Sequence, residues 1–296
     1  MVVPPKWHGP RGACSEEPTT RLRAGAGPYE VREVSGSRDN RDDCPHGTDA
    51  TLRAMLARFM TLFVLLAPTL SAQDPPAAEP VNPAVVPMPR GADWMKRQDK
   101  IVADVKAHAG ACDLVFVGDS ITQGWEGEGK EIWAQRYDQR HAVNLGISGD
   151  RTEHVLWRLE HDNLTGIAPK VAVVMIGTNN FGQKPGHSPE QVLEGVRAVV
   201  TSIRQKSPTT KVLLLGIFPR GEKFNEMRGN ILQVNQALSR LQDDEHVWFL
   251  DIGRVFLEDD GTIRKSIMPD FLHLSAEGYR RWADAIEGTL AKLLGG

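Results

Sequence analysis

Residues 114–120 read Leu-Val-Phe-Val-Gly-Asp-Ser, an apolar run that ends in a turn carrying a serine hydroxyl. Four consecutive apolar residues followed by Gly118 and Asp119 predict a buried strand that stops just before Ser120. In open α/β sheets, substrates bind at the carboxyl ends of the strands. The serine therefore lies where a substrate-binding edge is expected.

Apolar segments of similar character recur along the chain and alternate with stretches long enough for a helix. The predicted strands lie at about 112–118, 141–145, 170–176, 211–217 and 247–251. Helices are predicted at about 153–160, 189–206, 224–242 and 276–293, with a further amphipathic helix from about Trp94 to Val105. Strands that are apolar on both faces are typical of a parallel sheet covered by helices, so the pattern predicts a doubly wound α/β fold with five strands. Ser188 before Pro189 and Ser275 are the expected N-caps of two of these helices.

Three more polar segments follow predicted strands or lie near the C-terminus. Residues 146–150 read Gly-Ile-Ser-Gly-Asp, residues 176–180 read Ile-Gly-Thr-Asn-Asn, and residues 270–273 read Asp-Phe-Leu-His. Each motif alone is weak, because such residues also make ordinary turns. Together with Ser120 they supply a nucleophile, candidate oxyanion donors and an acid–histidine pair that could converge on one site.

In these motifs the chain resembles the SGNH (GDSL-type) serine hydrolases, and most of all the catalytic subunits of intracellular platelet-activating factor acetylhydrolase. The likeness extends from about 93 to 294 and includes residues 117–120, 149–152, 154–159, 177–180, 218–221, 260–263 and 271–275. It implies a flavodoxin-like strand order 2-1-3-4-5 in a single hydrolase domain, 91–296, and it is compatible with a homodimer. One departure is Ser148, which stands where those acetylhydrolases usually have glycine.

A serine nucleophile needs a base within hydrogen-bond reach, because its hydroxyl is weakly nucleophilic at neutral pH. His273 is the best candidate among nine histidines, since Asp270 three residues earlier can orient the ring and stabilise its charged form. The predicted catalytic residues are therefore Ser120, His273 and Asp270. The alternative is that Asp270 and His273 only cap local backbone.

The resemblance assigns the oxyanion hole to the backbone N–H groups of Ser120 and Gly149 and to the side-chain amide of Asn179. Such donors stabilise the negative charge that develops on an ester carbonyl during attack. Gly149 could instead belong to a plain turn, and Asn179 could be an Asx-turn residue unless Asn180 takes that part.

By the same resemblance Ile121, Thr178 and Leu272 line a short acyl pocket. Their bulk favours acetyl or similarly short esters, carried by a small molecule or a carbohydrate. The predicted function is therefore a serine esterase that works through an acyl-enzyme. Two alternatives stay open: a lysophospholipase or thioesterase for longer chains, and a carbohydrate- or lipid-binding module that retains the fold without turnover.

Composition and charge argue against several other classes of protein. The formal net charge is −3, and the basic residues are dispersed among acids, so nucleic-acid binding is not expected. Glu126, Glu128 and Glu131 form an acidic cluster without a histidine at ligand spacing, which indicates a solvated helix start rather than a metal site. No phosphate-binding glycine motif follows a strand. We therefore expect neither a metal nor a cofactor.

The first 90 residues are predicted to carry signals for export of the protein rather than residues for catalysis. Residues 1–54 lack apolar periodicity and are expected to be disordered or to be translated upstream sequence, with the true start at Met55. Residues 55–72 combine a charged start, an apolar core and small residues, which is typical of a secretory signal peptide, and residues 73–90 read as an extended Pro-rich linker. These features predict a secreted or periplasmic protein with no stable membrane span after cleavage. A retained signal anchor or a buried helix is the alternative.

Three cysteines occur in the chain, and two of them, Cys14 and Cys44, precede the expected cleavage site. Only Cys112 would remain in the mature chain, so an internal disulfide framework is not expected. Its place at the start of the first predicted strand favours a small core residue rather than a nucleophile.

Overall fold

A computed structural model of the chain describes residues 81–295. Its centre is a sheet of five parallel strands, β1 (Leu114–Gly118), β2 (Ala142–Gly146), β3 (Val171–Met175), β4 (Lys211–Leu215) and β5 (Val247–Leu250). The strand order is β2-β1-β3-β4-β5. This is the predicted flavodoxin-like order, and the predicted doubly wound α/β fold is confirmed.

Eight α-helices surround the sheet in the described part of the chain. In chain order they are α1 (Ala92–Ala107), α2 (Ser120–Gln123), α3 (Lys130–Arg136), α4 (Thr152–Glu160), α5 (Thr178–Gly182), α6 (Pro189–Lys206), α7 (Glu226–Leu238) and α8 (Ala276–Leu294). The long amphipathic helices and all five strands lie where the hydrophobic pattern predicts them. The short helices α2, α3 and α5 were not predicted, because segments of four to seven residues carry too little periodicity to be recognised.

Two apolar layers, one on each face of the sheet, form the core. Alternate residues of a strand point to opposite faces, so Val115 and Val117 contribute to one layer and Leu114 and Phe116 to the other. Helices α1, α4, α6 and α7 cover the first face, and α8 with the α2–α3 region covers the second. Coverage on both faces explains why the strands are apolar throughout.

The layer under α8 is rich in aromatic side chains. Trp125 and Trp282 lie 5.0 Å apart between ring centroids, and both rings also pack on Phe116 of β1. The Tyr279 hydroxyl donates a hydrogen bond of 2.7 Å to the carbonyl of Ile121 in α2. The aromatic layer thereby fixes α2, and with it the end of β1, against α8.

Local capping follows the sequence closely. Ser188 accepts a hydrogen bond from the Gln191 N–H, while the Gln191 side chain accepts one of 2.9 Å from the Ser188 N–H. Ser275 accepts from the N–H of Gly278 at the start of α8. Both predicted N-caps are confirmed. Cys112 is also buried in the core as predicted, and burial raises the pKa of its thiol to about 11.

Residues 83–85 differ from the extended linker that their composition predicts. Pro83–Val85 form a 3₁₀ helix, and Ala84 within it is fully buried. Proline at the first helical position and the Asn82 side chain, which accepts from the Ala84 N–H at 2.9 Å, stabilise this turn. Residues 83–85 are therefore helical rather than extended, because Pro and Ala fix a compact turn as readily as an extended one; for the rest of residues 73–90 the linker stays a prediction.

The predicted disordered segment 1–54, the signal peptide 55–72, linker residues 73–80, and Cys14 and Cys44 all lie outside the described residues. Across residues 81–295, no helix is both long enough and apolar enough to cross a membrane.

Candidate active site

Ser120 is the first residue of α2 and lies at the carboxyl end of β1. The preceding residue, Asp119, ends the strand and caps the helix, since its Oδ1 accepts from the Ile121 N–H at 3.0 Å. A turn this tight brings the serine hydroxyl out of the buried strand to the edge of the sheet. Asp119 itself is fully buried, as a structural residue at this position requires.

His273 and Asp270 meet Ser120 across the edge of the sheet. The His273 Nε2 lies 3.0 Å from Ser120 Oγ, and the His273 Nδ1 lies 2.6 Å from Asp270 Oδ2. A carboxylate can only accept, so Nδ1 carries the proton and Nε2 is left to accept from the serine hydroxyl. Three side chains separated by up to 153 positions thus form one hydrogen-bonded chain.

Asp270 also holds the backbone of its own turn. Its Oδ1 accepts from the N–H groups of Leu272 and His273, at 3.0 and 2.8 Å. Partial burial would raise the pKa of this carboxyl, but the hydrogen bonds from the His273 side chain and from these backbone groups together hold the pKa below its ordinary value. Asp270 therefore remains charged at neutral pH beside the imidazole. Local capping and contact with His273 occur together rather than as alternatives.

Gly149 lies in the loop between β2 and α4, with a φ of 78° that favours glycine. The loop carbonyl of Ser148 accepts from Arg90 at 2.7 Å, and that of Gly149 accepts from Gln183 at 2.9 Å. In the described part of the chain, the backbone N–H groups of Gly149 and Ser120 have no hydrogen-bond acceptor. Ser120 and Gly149 follow the neighbouring strands β1 and β2 at the same edge of the sheet, where unengaged N–H donors can receive a developing oxyanion.

Asn179 is the second residue of α5 and is almost fully buried. Its Nδ2 donates to the Asp150 carbonyl at 3.0 Å, which uses one of the two amide N–H groups and orients the other. Asn180 does not make the local Asx turn that was one sequence interpretation. Its side chain instead accepts from the Thr152 N–H and donates to Thr152 Oγ1, so α5 is tied to α4.

The three predicted acyl-pocket residues have different surroundings. Ile121 is buried in the aromatic layer, and Thr178 is buried with its hydroxyl accepting from Arg220 at 3.1 Å. Leu272 is half-buried beside His273. All three are sequence neighbours of candidate catalytic groups, and Leu272 has the most exposed surface.

A cavity of about 460 Å³ lies elsewhere, beside α7 and the ends of β4 and β5. Its apolar lining includes Ile217, Phe224 and Leu232, and none of the predicted site residues lines it. No serine, cysteine or histidine occurs among its lining residues, so it offers no nucleophile or base of these kinds. Within residues 81–295, no group of three or more His, Cys, Asp and Glu side chains is arranged to hold a metal ion.

Comparisons with known proteins identify a family that matches this chain. Residues 116–281 match the model of the GDSL-like Lipase/Acylhydrolase family. The chain is 38% identical over 226 residues to the platelet-activating factor acetylhydrolase IB subunit alpha1 of Homo sapiens, covering 76% of this chain and 94% of that protein. It is 39% identical over 219 residues to the alpha2 subunit of Gallus gallus, covering 72% and 92%.

The chain belongs to the GDSL-like lipase/acylhydrolase family. Among solved structures, one from Streptococcus pneumonia described as a platelet activating factor superposes with a TM-score of 0.54 at 26% identity, covering 67% of this chain and 95% of that one. A GDSL-like lipase from Bacteroides thetaiotaomicron shares the fold, with a TM-score of 0.56 at 18% identity and coverages of 66% and 97%. This acylhydrolase is a carboxylic ester hydrolase, as predicted.

Sequence reasoning missed the charged residues beneath the site of this acylhydrolase. Arg158 of α4 is fully buried and donates to Asp150 Oδ2 at 2.8 Å, and Trp94 of α1 donates to Asp150 Oδ1 at 2.6 Å. A signal was present in the sequence, because His154 and Arg158 are spaced by four and share one face of α4 with apolar neighbours, just after Asp150 in the preceding loop. Charge on such a face indicates a buried pair.

Asp119 carries a further consequence for stability. Its Oδ2 has no hydrogen-bond partner in the described part of the molecule, and burial raises the pKa of the carboxyl from 3.8 to about 7, against a smaller lowering by the Ile121 N–H. A carboxyl with a pKa raised by folding binds more protons in the folded chain than in the unfolded chain between those values. The titration of Asp119 therefore lowers the free energy of unfolding as pH rises from about 4 to about 7.

We expect Asp119→Asn to remove this loss, because asparagine keeps the acceptor for the Ile121 N–H but does not titrate. Urea unfolding at pH 4, 5, 6 and 7 should show the variant gaining stability over wild type as pH rises, by a few kcal/mol at most, since one pK unit corresponds to about 1.4 kcal/mol. Asp113→Asn is the matched control. Lys170 and His141 lower the pKa of Asp113, so its replacement should give no such gain. A constant difference between Asp119→Asn and wild type across this range would contradict the prediction.

Proposed function

We propose that this acylhydrolase is a serine esterase that removes short acyl groups through a covalent acyl-enzyme. The observation that carries the proposal is the hydrogen-bonded chain from Asp270 through His273 to Ser120, with distances of 2.6 and 3.0 Å. At the same edge of the sheet, the backbone N–H groups of Ser120 and Gly149 have no acceptor among the described residues.

In the proposed first half-reaction, Ser120 Oγ attacks the ester carbonyl carbon while His273 Nε2 takes the hydroxyl proton. Asp270 stabilises the imidazolium that forms. The carbonyl oxygen becomes an oxyanion and accepts hydrogen bonds from the N–H groups of Ser120 and Gly149 and from Asn179 Nδ2. The intermediate then collapses, the bond to the alcohol oxygen breaks, and the alcohol leaves with the proton from His273.

In the second half-reaction, water replaces the alcohol. His273 takes a proton from water as its oxygen attacks the acyl carbon, and the same donors hold the second oxyanion. Collapse returns the proton to Ser120 Oγ and releases the carboxylic acid. Every step uses groups of this chain, and the mechanism calls for no metal or cofactor.

Ser120→Ala should abolish covalent labelling by a fluorophosphonate and lower turnover of p-nitrophenyl acetate by on the order of 10⁴–10⁶, as loss of a nucleophilic serine does. The control is Ser202→Ala on α6, which should label and turn over as wild type does. Labelling that persists without Ser120 would place the nucleophile elsewhere. A wild-type protein that neither labels nor shows burst release of p-nitrophenol would favour the binding-module alternative.

The preference for short acyl groups is the second part of the proposal. Ile121 is packed in a dense aromatic layer and Thr178 is held by Arg220, so neither can move aside for a long chain without a packing cost. Leu272, next to the base, is the remaining wall. The curated relatives are named acetylhydrolases, which agrees with an acetyl-sized acyl group. The substrates we propose are small-molecule or carbohydrate esters, and a homodimer stays a prediction from the resemblance.

Acetyl and propionyl esters should be turned over faster than octanoyl esters, and Leu272→Ala should shift the preference toward longer chains. The gain should stay within about 1–3 kcal/mol per methylene accommodated. Values of kcat/KM across C2 to C10 p-nitrophenyl esters provide the measurement. Leu232→Ala, an exposed leucine on α7, should leave the profile unchanged. A wild-type optimum at C8 or longer would reject the short-acyl proposal in favour of a lysophospholipase-like enzyme.

We also propose that the enzyme is exported to a secreted or periplasmic location. The support is the sequence of residues 55–72, with its charged start, apolar core and small residues before Gln73. N-terminal sequencing of the protein recovered from the medium or periplasm should give a start near Gln73. A mature chain that begins well before Gln73 would contradict cleavage.

A further inference from the structure

Residues 81–90, which precede Gly91 and α1, form a strap across α6 and α4. They lie outside the segment that matches the family model, residues 116–281. At one end the Asn82 side chain donates to the Gln191 carbonyl at 3.2 Å and to Glu194 Oε2 at 2.7 Å, both on α6. The strap is thus anchored to the helical layer by specific hydrogen bonds.

The middle of the strap packs closely on α4 and α6. The Ala84 carbonyl accepts from Thr152 Oγ1 at 2.8 Å, at the start of α4. This approach depends on Gly195 of α6, since a Cβ there would lie 2.4 Å from Thr152 Oγ1 and 3.0 Å from the Ala84 oxygen. The strap therefore packs at Ala84 directly against the backbone of α6 at Gly195, and this close packing leaves little room for the strap to shift.

Thr152 connects this contact to the candidate oxyanion donor on α5. Its Oγ1 accepts from Asn180 Nδ2 at 3.0 Å, and its N–H donates to Asn180 Oδ1 at 3.1 Å. Asn180 is the neighbour of Asn179 within α5. The hydroxyl of Thr152 thus stands between the strap on one side and the donor-bearing helix on the other.

The last residue of the strap, Arg90, lies over the other candidate donor. Its Nη1 donates to the Ser148 carbonyl at 2.7 Å and lies 3.5 Å from Asp150 Oδ1. A Cβ on Gly149 would lie 3.0 Å from both Nη1 and Nη2 and 3.4 Å from Cζ, so the guanidinium covers the Gly149 α-carbon broadly. Arg90 therefore bridges the residues on either side of Gly149 and confines the loop.

We propose that Arg90 is a positioning residue of the oxyanion hole, and that the strap supports this hole from outside the family-matched segment. Confinement of the Ser148–Asp150 loop fixes the direction of the Gly149 N–H, and the charge of Arg90 favours negative charge developing nearby. The inference rests on the proposed esterase function, because only an ester carbonyl under attack makes use of this donor. A misplacement of a donor by about 1 Å can cost two orders of magnitude in rate.

The test compares Arg90→Ala and Arg90→Lys in the full-length chain. With p-nitrophenyl acetate, Arg90→Ala should lower kcat by about 10- to 100-fold and leave KM within about twofold. The inhibition constant of a short alkylboronic acid, which binds serine as a tetrahedral adduct, should rise by a matching factor. Arg90→Lys should recover part of kcat, because lysine can donate to the Ser148 carbonyl but cannot cover Gly149 with a planar group.

Two reference variants make the result interpretable. Asn179→Ala sets the scale for loss of a direct oxyanion donor, about 10²–10³ in kcat. Arg136→Ala removes an arginine of similar exposure whose partner is the surface residue Asp284, and it should leave kcat and the inhibition constant unchanged. Thermal unfolding midpoints of the Arg90 variants should stay close to wild type, since the Arg90 side chain is about one-third exposed.

The outcomes separate this inference from the proposed function. Wild-type turnover that depends on Ser120 together with an unchanged kcat in Arg90→Ala would overturn the inference and leave the esterase function standing. A rise in KM at constant kcat, or a fall in kcat that merely follows a fall in the unfolding midpoint, would overturn it as well. Wild-type turnover that survives Ser120→Ala would overturn both.

Discussion

The guanidinium of Arg158 is buried under the edge of the sheet where the candidate site lies, and four acceptors surround it. It donates to the carbonyls of Gly118 and Leu145, to Asn163 Oδ1, and to the Asp150 carboxylate. The ends of β1 and β2 and the Gly149 loop are thus joined through one planar group, whose fixed fork of N–H donors suits several acceptors at once. Removal of either partner of such a buried pair leaves an uncompensated charge, a loss of about 3–5 kcal/mol in comparable cases.

The Arg158–Asp150 pair determines how groups from distant parts of the chain are placed relative to one another. Asp150 accepts from Trp94 of α1 through its carboxylate and from Asn179 of α5 through its carbonyl. The edge that carries the candidate site is therefore held together on its buried side by hydrogen bonds to main-chain carbonyls, and the Asp270–His273 pair lies on its exposed side. The buried Arg158–Asp150 pair fixes the candidate oxyanion donors, whereas the more exposed Asp270–His273 pair leaves the site open to substrate.

The fold could be predicted from the sequence because each strand is a continuous apolar run and each long helix carries a helical hydrophobic period. The meeting of Ser120, Asp270 and His273 was also foreseeable, from the acid–histidine spacing and from the resemblance. Position alone would not have shown it, since Ser120 follows β1 whereas Asp270 and His273 lie in a turn just before α8. Arg158, Arg90 and the packing of residues 81–90 were not predicted. Many of their contacts are to backbone carbonyls of distant segments. Every residue has such a carbonyl, so the sequence does not indicate which ones a side chain will contact. A Pro- and Ala-rich stretch likewise reads the same whether it is extended or held in a 3₁₀ turn by Asn82.

The two apolar layers have a consequence for where this protein begins and ends as a folding unit. Trp94, Ile101 and Val105 complete one layer, and Ile286, Leu290 and Leu293 complete the other, yet all six lie beyond the 116–281 segment recognised by family similarity. A fragment trimmed to that segment would leave both faces of its sheet partly open to water. The segment matched by the family model is thus narrower than the packed core, and residues outside that segment contribute part of the hydrophobic driving force for folding.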